Sequence, residues 1–135
     1  MKQNFSWPIR VYYEDTDAGG VVFYANYLRF YERARTEMLR AMGYEQDALI
    51  EQDRIIFVVR SVKVDYLKPA RFNEMLQVTA LIDSVGPASV IFSQQIIRDE
   101  IILNRAEIKI ACLDVKTMRP KTIPEKLLEQ FKHEC

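Results

Sequence analysis

The stretch ANYLRFYERARTEMLRAM, residues 25–42, decides the fold. Its apolar side chains recur at intervals of three and four residues, which is the spacing of one face of an α-helix. Gly43 follows where a left-handed residue commonly ends a helix, and Asn26 is the candidate cap at its start. We therefore predict one long amphipathic helix over residues 25–42, with an apolar stripe made of Tyr27, Tyr31, Ala34, Met38, Ala41 and Met42.

Arg35 places a charge inside that apolar stripe. At about 100° per residue it projects between Leu28 and Met42. A charge in such a position needs a partner or an exit to solvent. We expect Arg35 to pair with a carboxylate, such as Glu32 or an acid across a subunit interface.

After the helix the apolar period changes to two, which is typical of β-strands with one buried face. Turn-forming residues separate these segments at Pro69, at Gly86-Pro87 and at Asp99-Glu100. The predicted strands cover residues 62–66, 76–82, 90–97 and 106–112.

Three shorter segments complete the prediction. Residues 9–14 are β-branched and aromatic, which indicates a first strand ahead of the helix. Residues 45–52 are expected to form a short helical turn. Pro124, followed by an apolar series at Leu127, Leu128 and Phe131, predicts a short terminal helix with proline in its first turn.

The order of these elements is one strand, one long helix and then a run of about four strands. Such a run implies an antiparallel sheet with the helix on one face, which is an α+β arrangement. The apolar stripe of the helix and one face of the sheet would form the core. The other face would stay partly exposed unless a second subunit covers it.

Composition excludes several classes of protein. The 135 residues fit one domain, and 19 basic against 19 acidic side chains argue against a nucleic-acid binder. The N-terminus lacks the apolar run of a secretory signal, and no apolar run elsewhere in the sequence is long enough to cross a membrane. We expect a cytoplasmic protein with reduced cysteines, and its near-zero net charge fits self-association.

The single histidine restricts the chemistry further. His133 lies at the C-terminal end, where it is poorly placed for a Ser-His-Asp or Cys-His pair. One histidine and two cysteines cannot supply a multi-histidine metal site or a zinc knuckle. Catalysis would therefore depend on carboxylates, backbone amides or hydroxyls, without a metal or another cofactor.

The segment EDTDAGG, residues 14–20, is the richest chemical cluster, and it comes just before the helix. One interpretation is a plain Asx-turn with solvated carboxylates. A calcium loop is a second, but its register puts Gly19 and Asn26 where acidic ligands are required. In the third, an Asp attacks an acyl carbon or activates water, while orphan N–H groups at the helix start hold the acyl oxygen.

A longer stretch resembles a known family. Residues 12–27, YYEDTDAGGVVFYANY, and residues 31–37, YERARTE, closely resemble hotdog-fold acyl-CoA thioesterases, a group that includes 4-hydroxybenzoyl-CoA thioesterases. The likeness is greatest to the YbgC-type enzymes associated with the Tol-Pal cell-envelope system. It extends over nearly the whole chain, with further matches at residues 57–60, 65–66, 69–70, 118–120 and 123–124.

The resemblance implies a single hotdog thioesterase domain over residues 1–135, with a five-stranded antiparallel sheet wrapped around one long helix. It also implies a homodimer or homotetramer with active sites at the interface. Asp17 would be the catalytic carboxylate, as nucleophile or general base, and the backbone amide of Tyr24 would polarise the thioester carbonyl. Asp15 would shape the loop.

One position departs from the family pattern, because most YbgC-type sequences carry His where this chain has Tyr24. The 4-hydroxybenzoyl-CoA branch has Tyr there, and a backbone N–H does not depend on the side chain. The substitution bears on substrate preference and on any part that His takes in proton transfer.

The expected substrate is an acyl-CoA, with an acyl carrier protein as a second carrier. Arg35 is a candidate for a coenzyme A phosphate as an alternative to structural pairing, and further basic candidates are Lys63, Lys68, Arg71, Arg119 and Lys121. The residues predicted to contact substrate are Gly19, Gly20, Val22, Phe23, Asn26 and Arg60.

Two other functions are weighed against hydrolysis. A hydratase of the same fold normally needs a His beside an acid, which this chain does not offer. An acyl-CoA-binding or acyl-carrier-protein-binding protein of the Tol-Pal system, without hydrolysis, is the main alternative. Asp17 and the glycine pair argue against it, and Tyr24 in place of His keeps it open.

Overall fold

The computed structural model describes residues 5–135. A long helix, α1, follows the first strand, a short α2 follows α1, four strands come next, and α3 ends the chain. The bounds are β1 Phe5–Arg10, α1 Tyr27–Ala41, α2 Gln46–Ala48, β2 Ile55–Tyr66, β3 Met75–Gly86, β4 Ser89–Arg98, β5 Ile101–Asp114 and α3 Glu125–Glu134.

The five strands form one antiparallel sheet in the order β1-β3-β4-β5-β2. The backbone of α1 approaches β1 and β3 most closely, so the helix lies on one face of the sheet. This confirms the predicted α+β class and the five-stranded antiparallel sheet around one long helix.

The core lies between α1 and the sheet. The helix buries Tyr27, Tyr31, Ala34 and Met38 as predicted, whereas Ala41 is exposed. The inward residues of β3, from Leu76 to Ile82, have no exposed surface. Each large apolar side chain buried in this way stabilises the fold by about 1.5–3 kcal/mol. The helix also buries Phe30 and Leu39, two residues that the predicted stripe left out.

Turns and helix ends agree with the sequence signals. Gly43 has φ +94°, the left-handed backbone expected after the helix. Asp99 and Glu100 both have positive φ and form the two-residue turn between β4 and β5. The region predicted as a short helical turn contains α2, and Pro124 immediately precedes α3.

The predicted first strand, residues 9–14, is wrong in position, because β1 ends at Arg10. Residues 13–15 instead form one turn of 3₁₀-helix. The cause is local: the carboxylate of Asp15 accepts the N–H of Tyr12 at 2.8 Å, which turns the chain away from the sheet. The earlier part of β1 contains Pro8, which is tolerated because β1 is an edge strand.

The alternation predicted for β2 also fails as a guide to burial. Among the strands of residues 5–135, β2 lies at the other edge of the sheet and pairs with β5 alone, and its register shifts between Val59 and Ser61. Val62 and Tyr66 were placed on a buried face, but they are 39% and 48% exposed. The open edge of β2 therefore carries apolar side chains that this chain does not cover.

Candidate active site

The residues between Asp17 and Val21 form a closed loop ahead of the helix. The N–H of Asp17 donates to the Val21 carbonyl at 2.9 Å, and the N–H of Gly20 donates to the Asp17 carbonyl at 3.0 Å. Thr16 and Val22 pair across its base. These bonds fix the backbone on either side of an exposed Asp17.

The two glycines shape this loop for different reasons. The N–H of Gly19 donates to Oδ1 of Asp17 at 2.8 Å, which is the predicted Asx-turn. A Cβ on Gly19 would lie 3.3 Å from that same oxygen. Gly20 has φ +77°, a conformation that costs an L side chain about 1–2 kcal/mol. The glycine pair thus lets the backbone turn tightly beside the carboxylate.

Asp15 has a different environment from Asp17. It is buried, its Oδ2 accepts the N–H of Tyr12 at 2.8 Å, and its Oδ1 accepts Nδ2 of Asn26 at 2.9 Å. Its carbonyl accepts the N–H of Phe23 at 3.1 Å. Asp15 therefore ties the end of β1 to the start of the helix, and both of its carboxylate oxygens are engaged.

Asn26 does not cap the helix with its side chain as predicted. It already has helical backbone angles, and no capping bond from its side chain is present. A turn of 3₁₀-helix, Tyr24–Asn26, leads into α1, so the helical backbone starts before Asn26. One N–H of its side-chain amide holds Asp15, and the second N–H and the carbonyl oxygen remain for another contact.

The backbone amides at the helix start differ in what they donate to. The N–H of Val22 donates to the Ala70 carbonyl at 2.8 Å, and that of Phe23 donates to Asp15. Tyr24 is the next residue, and within residues 5–135 no acceptor is hydrogen-bonded to its N–H. This amide lies at the positive end of the α1 dipole. It can donate to an oxygen on which negative charge develops.

Tyr66 contacts Tyr24 at the helix start, although the sequence patterns do not identify it as a site residue. Its hydroxyl donates to the Tyr24 carbonyl at 3.1 Å, and the two rings meet edge to face at 6.3 Å. This bond links the end of the open-edge strand β2 to the helix start. The only sequence signal was the family match at residues 65–66.

The structure divides five of the predicted site residues between two grooves, one lined by Phe23 and the other by Tyr24, whose rings stack on each other. Asp17, Phe23 and Asn26 line one open groove. Val22 and Tyr24 line a neighbouring groove with Tyr66. The side chain of Val22 is 4% exposed and its N–H is already used, so its side chain forms part of the groove wall.

Arg60 is not brought to this cluster within the chain. It is exposed and lies at the register shift of β2, six residues before Tyr66. Six residues of strand span roughly 20 Å. Contact between Arg60 and a ligand at Asp17 would need a long ligand or a second subunit.

Arg35 is buried as the sequence implied, but its partner is not the expected carboxylate. It is 7% exposed, and its guanidinium donates to Oε1 of Gln94 at 3.0 Å. Burial lowers the pKa of Arg35 to about 10, and the nearby Glu32 opposes that shift. Among the residues that the structure describes, no acid forms an ion pair with Arg35.

A metal site does not emerge from residues 5–135. No group of three or more His, Cys, Asp or Glu side chains there could hold an ion. Both carboxylate oxygens of Asp15 are taken by protein donors, which leaves the calcium-loop interpretation without its first ligand. In the same part of the chain, no helix has the length and apolar character needed to span a membrane.

Comparison with known proteins gives consistent results. A family model described as "Thioesterase-like superfamily" matches residues 11–131. The chain is 48% identical over 129 residues to "Acyl-CoA thioester hydrolase YbgC" of Escherichia coli O6:H1, covering 95% of this chain and 96% of that protein. It is 41% identical over 133 residues to "Acyl-CoA thioesterase YbgC" of Haemophilus influenzae, covering 98% of each.

Solved structures agree with the sequence relatives. The crystal structure of a probable thioesterase from Bartonella henselae superposes with a TM-score of 0.86 at 32% identity. The match covers 90% of this chain and all of that one. The two chains therefore share the same overall architecture.

Proposed function

Since the chain belongs to the thioesterase-like superfamily, and within it to the YbgC acyl-CoA thioesterases, we propose that it hydrolyses acyl-CoA thioesters to a free acid and coenzyme A. The observation that carries this proposal is the free N–H of Tyr24 at the start of α1, beside a loop that presents Asp17. The pair provides an electrophilic and a basic or nucleophilic group without a histidine, a metal or another cofactor.

In the proposed reaction the thioester carbonyl oxygen accepts the N–H of Tyr24. As negative charge develops on that oxygen, the helix dipole and the amide stabilise it. The same interaction serves the reaction whether Asp17 acts as nucleophile or as general base. Removal of such a donor costs about 10²–10³ in turnover in enzymes of comparable chemistry.

Asp17 completes the reaction in one of two ways. As nucleophile, its carboxylate attacks the acyl carbon, the C–S bond breaks, coenzyme A leaves as the thiolate, and water then cleaves the mixed anhydride. As general base, it takes a proton from water, which attacks the acyl carbon before the thiolate leaves. Both give one acid and one thiol per water consumed.

We place substrate contacts at the loop and the helix start. Gly19 and Gly20 would allow the thioester to approach the backbone, and Phe23 would supply an apolar wall at 43% exposure. Asn26 offers its carbonyl oxygen and the second N–H of its side-chain amide. Val22 would act through its place in the wall, and Arg60 would reach coenzyme A from the edge of β2.

The remaining parts of the proposal concern the whole protein. We propose a single domain over residues 1–135, of which residues 5–135 are described. The protein would act in the cytoplasm as a homodimer or homotetramer with interfacial sites. An acyl carrier protein is a second candidate carrier, and the association with the Tol-Pal system is supported by the family resemblance alone.

A release assay for free thiol, run over aliphatic and aromatic acyl-CoA esters, tests hydrolysis. Wild type should release coenzyme A, and Asp17→Asn should not. The alternative, a non-hydrolysing binder of acyl-CoA or of an acyl carrier protein, predicts that both are inert while both still bind the ester. The residue that favours this alternative is Tyr24, which replaces the usual His.

A further inference from the structure

A second cavity lies between the middle of α1 and the sheet, away from the Asp17 loop. Its volume is about 140 Å³, close to that of a cavity that holds one benzene ring. Apolar side chains of β2, β4, β5 and α3 form one side, and α1 contributes polar side chains to the other. The residues used below are Glu32, Arg35, Thr36, Phe57, Val59 and Phe92.

Arg35 is the unexplained group in this cavity. Its side chain is more than nine-tenths buried, yet its one described hydrogen bond goes to a neutral amide oxygen of Gln94. A guanidinium has five N–H donors, and buried charges are otherwise paired with an opposite charge. Within residues 5–135 no ion pair neutralises it. Glu32 lines the same cavity and stabilises the Arg35 charge without a hydrogen bond, so guanidinium N–H donors that do not contact Gln94 are available to an anion that enters.

The surroundings define what kind of anion fits. Phe57 and Phe92 give the cavity apolar walls, which exclude a heavily hydrated phosphate or pyrophosphate. A carboxylate accepts two N–H bonds from a guanidinium in one plane. The ligand should therefore have an apolar body of about six carbon atoms that ends in a carboxylate.

The cavity has an entrance at the open edge of the sheet. Val59 on β2 is 51% exposed, and Glu32 at the opposite side is exposed as well. Arg35 lies eleven residues after Tyr24, which is roughly 16 Å along a helix axis. Because Val59 and Arg35 line the same cavity, a ligand that enters beside Val59 can reach Arg35 without passing through the core.

We propose that this cavity binds the carboxylate of an apolar carboxylic acid through Arg35. Two sources supply such a group: the far end of a dicarboxylic acyl chain whose thioester lies at Tyr24, or a free monocarboxylic acid. The first source rests on the proposed thioesterase function. The second does not.

Direct binding of hexanoate and benzoate to the whole protein at neutral pH, by calorimetry, tests the site without any turnover. Hexanamide and benzamide are the neutral probes of matched shape. Wild type should bind each carboxylate at least tenfold more tightly than its amide, as expected for charge-assisted hydrogen bonds. Equal binding of acid and amide, or no binding of either, would overturn the proposal.

Arg35→Met should abolish the preference for the acid. Arg33→Met is the matched control, because Arg33 is exposed on the same helix with its guanidinium over the Phe30 ring. That control should keep the preference. If Arg35→Met still prefers the carboxylate, the proposal is wrong, and if the variant does not fold, the wild-type comparison alone decides.

Hydrolysis then separates the two sources. Wild type should cleave dodecanedioyl-CoA with a higher kcat/KM than dodecanoyl-CoA if the acyl end occupies the cavity, and Arg35→Met should reverse that order. If the ratio is the same in both proteins while hexanoate still binds, the ligand is a free acid. If no thioester is cleaved but hexanoate binds, the proposed function fails and the carboxylate site stands.

Discussion

Asp15 and Asp17 are two positions apart and have opposite environments. Both oxygens of Asp15 accept protein donors in a buried position, so this carboxylate is committed to holding the loop. Asp17 is exposed, and only its Oδ1 accepts a bond from the described residues. The free Oδ2 makes Asp17 the acid that can meet a substrate.

Tyr66→Phe should lower kcat by about five- to tenfold, because it removes one hydrogen bond of about 1 kcal/mol. That bond goes to the carbonyl of Tyr24 and holds the Tyr24–Ala25 peptide, which adjoins the Tyr24 N–H across the Cα of Tyr24. KM should change little, since the ring that lines the groove is kept. Steady-state kinetics of acyl-CoA hydrolysis measure both constants.

The matched control is Tyr13→Phe, which makes the same chemical change at a side chain that is 81% exposed. It should leave both constants as in wild type. A Tyr66→Phe variant with unchanged kcat would show that the hydroxyl does not help to position the helix start. A raised KM at constant kcat would assign Tyr66 to substrate binding instead.

The sequence was sufficient to predict a loop whose hydrogen bonds join near neighbours. Asp17, Gly19 and Gly20 are bonded to one another within that loop, so their spacing alone indicated a turn beside a carboxylate. The bond from Tyr66 to Tyr24 spans 42 positions, and no local pattern contains it. Asn26 fits a cap by spacing, but Asp15 competes for its amide.

At the scale of elements, the long helix and three strands were predicted because their periodicity reflects burial. α1, β3, β4 and β5 each bury one face against the same core. Tyr12 and Tyr13 have a comparable β propensity but leave the sheet, because the Asp15 carboxylate accepts the N–H of Tyr12. Local hydrogen bonding of this kind overrides propensity.

β5 offers a direct test of that core through its thiol. Burial raises the pKa of Cys112 to about 11, from an ordinary value of 9.0. Native protein at pH 8 should therefore react with a thiol reagent such as DTNB only at Cys135, which is exposed. The Cys135→Ser variant should react only after unfolding. Rapid reaction of native Cys135→Ser would show that β5 is not packed as described.

The same shift sets how stability depends on pH. The unfolded thiol loses its proton near pH 9, while the folded one keeps it to about pH 11. The contribution of Cys112 to the free energy of unfolding is thus complete below pH 9 and falls as pH rises to 11. Urea unfolding should show a smaller loss over this range in Cys112→Ala than in wild type.

At the scale of the whole molecule, the open edge of β2 stands out. It presents unpaired backbone groups together with Val59, Val62 and Tyr66, all of which are at least 39% exposed. The unpaired N–H and C=O groups of an exposed apolar edge strand can pair with a strand of another chain. Because Tyr66 also contacts Tyr24, an edge-paired dimer would place a second subunit beside the proposed site.

Val62→Lys should weaken self-association, since a lysine on an edge strand opposes pairing with another chain. Ile101→Lys is the matched control, because Ile101 is 41% exposed in β5 and lies outside the open edge. Analytical ultracentrifugation should show wild type and the control as dimers or larger, and Val62→Lys shifted toward monomer. Identical sedimentation of all three would place the interface elsewhere.

Sequence patterns also cannot predict which β2 side chains are buried at this edge. Alternation in β2 indicates a two-sided strand, but it cannot say whether the apolar side meets this chain or another. The period-2 pattern of β2 fits a strand that is buried only in an assembly. A one-chain interpretation of that pattern therefore assigned Val62 and Tyr66 to the core.

The release of coenzyme A by wild type and by Asp17→Asn, measured on the same acyl-CoA ester, tests the central claim most directly. Circular dichroism should confirm that the variant keeps its fold, because Asn can still accept the Gly19 N–H. We predict turnover by wild type and a loss of at least about a hundredfold in Asp17→Asn. Equal turnover by the two folded proteins would contradict the assignment of Asp17.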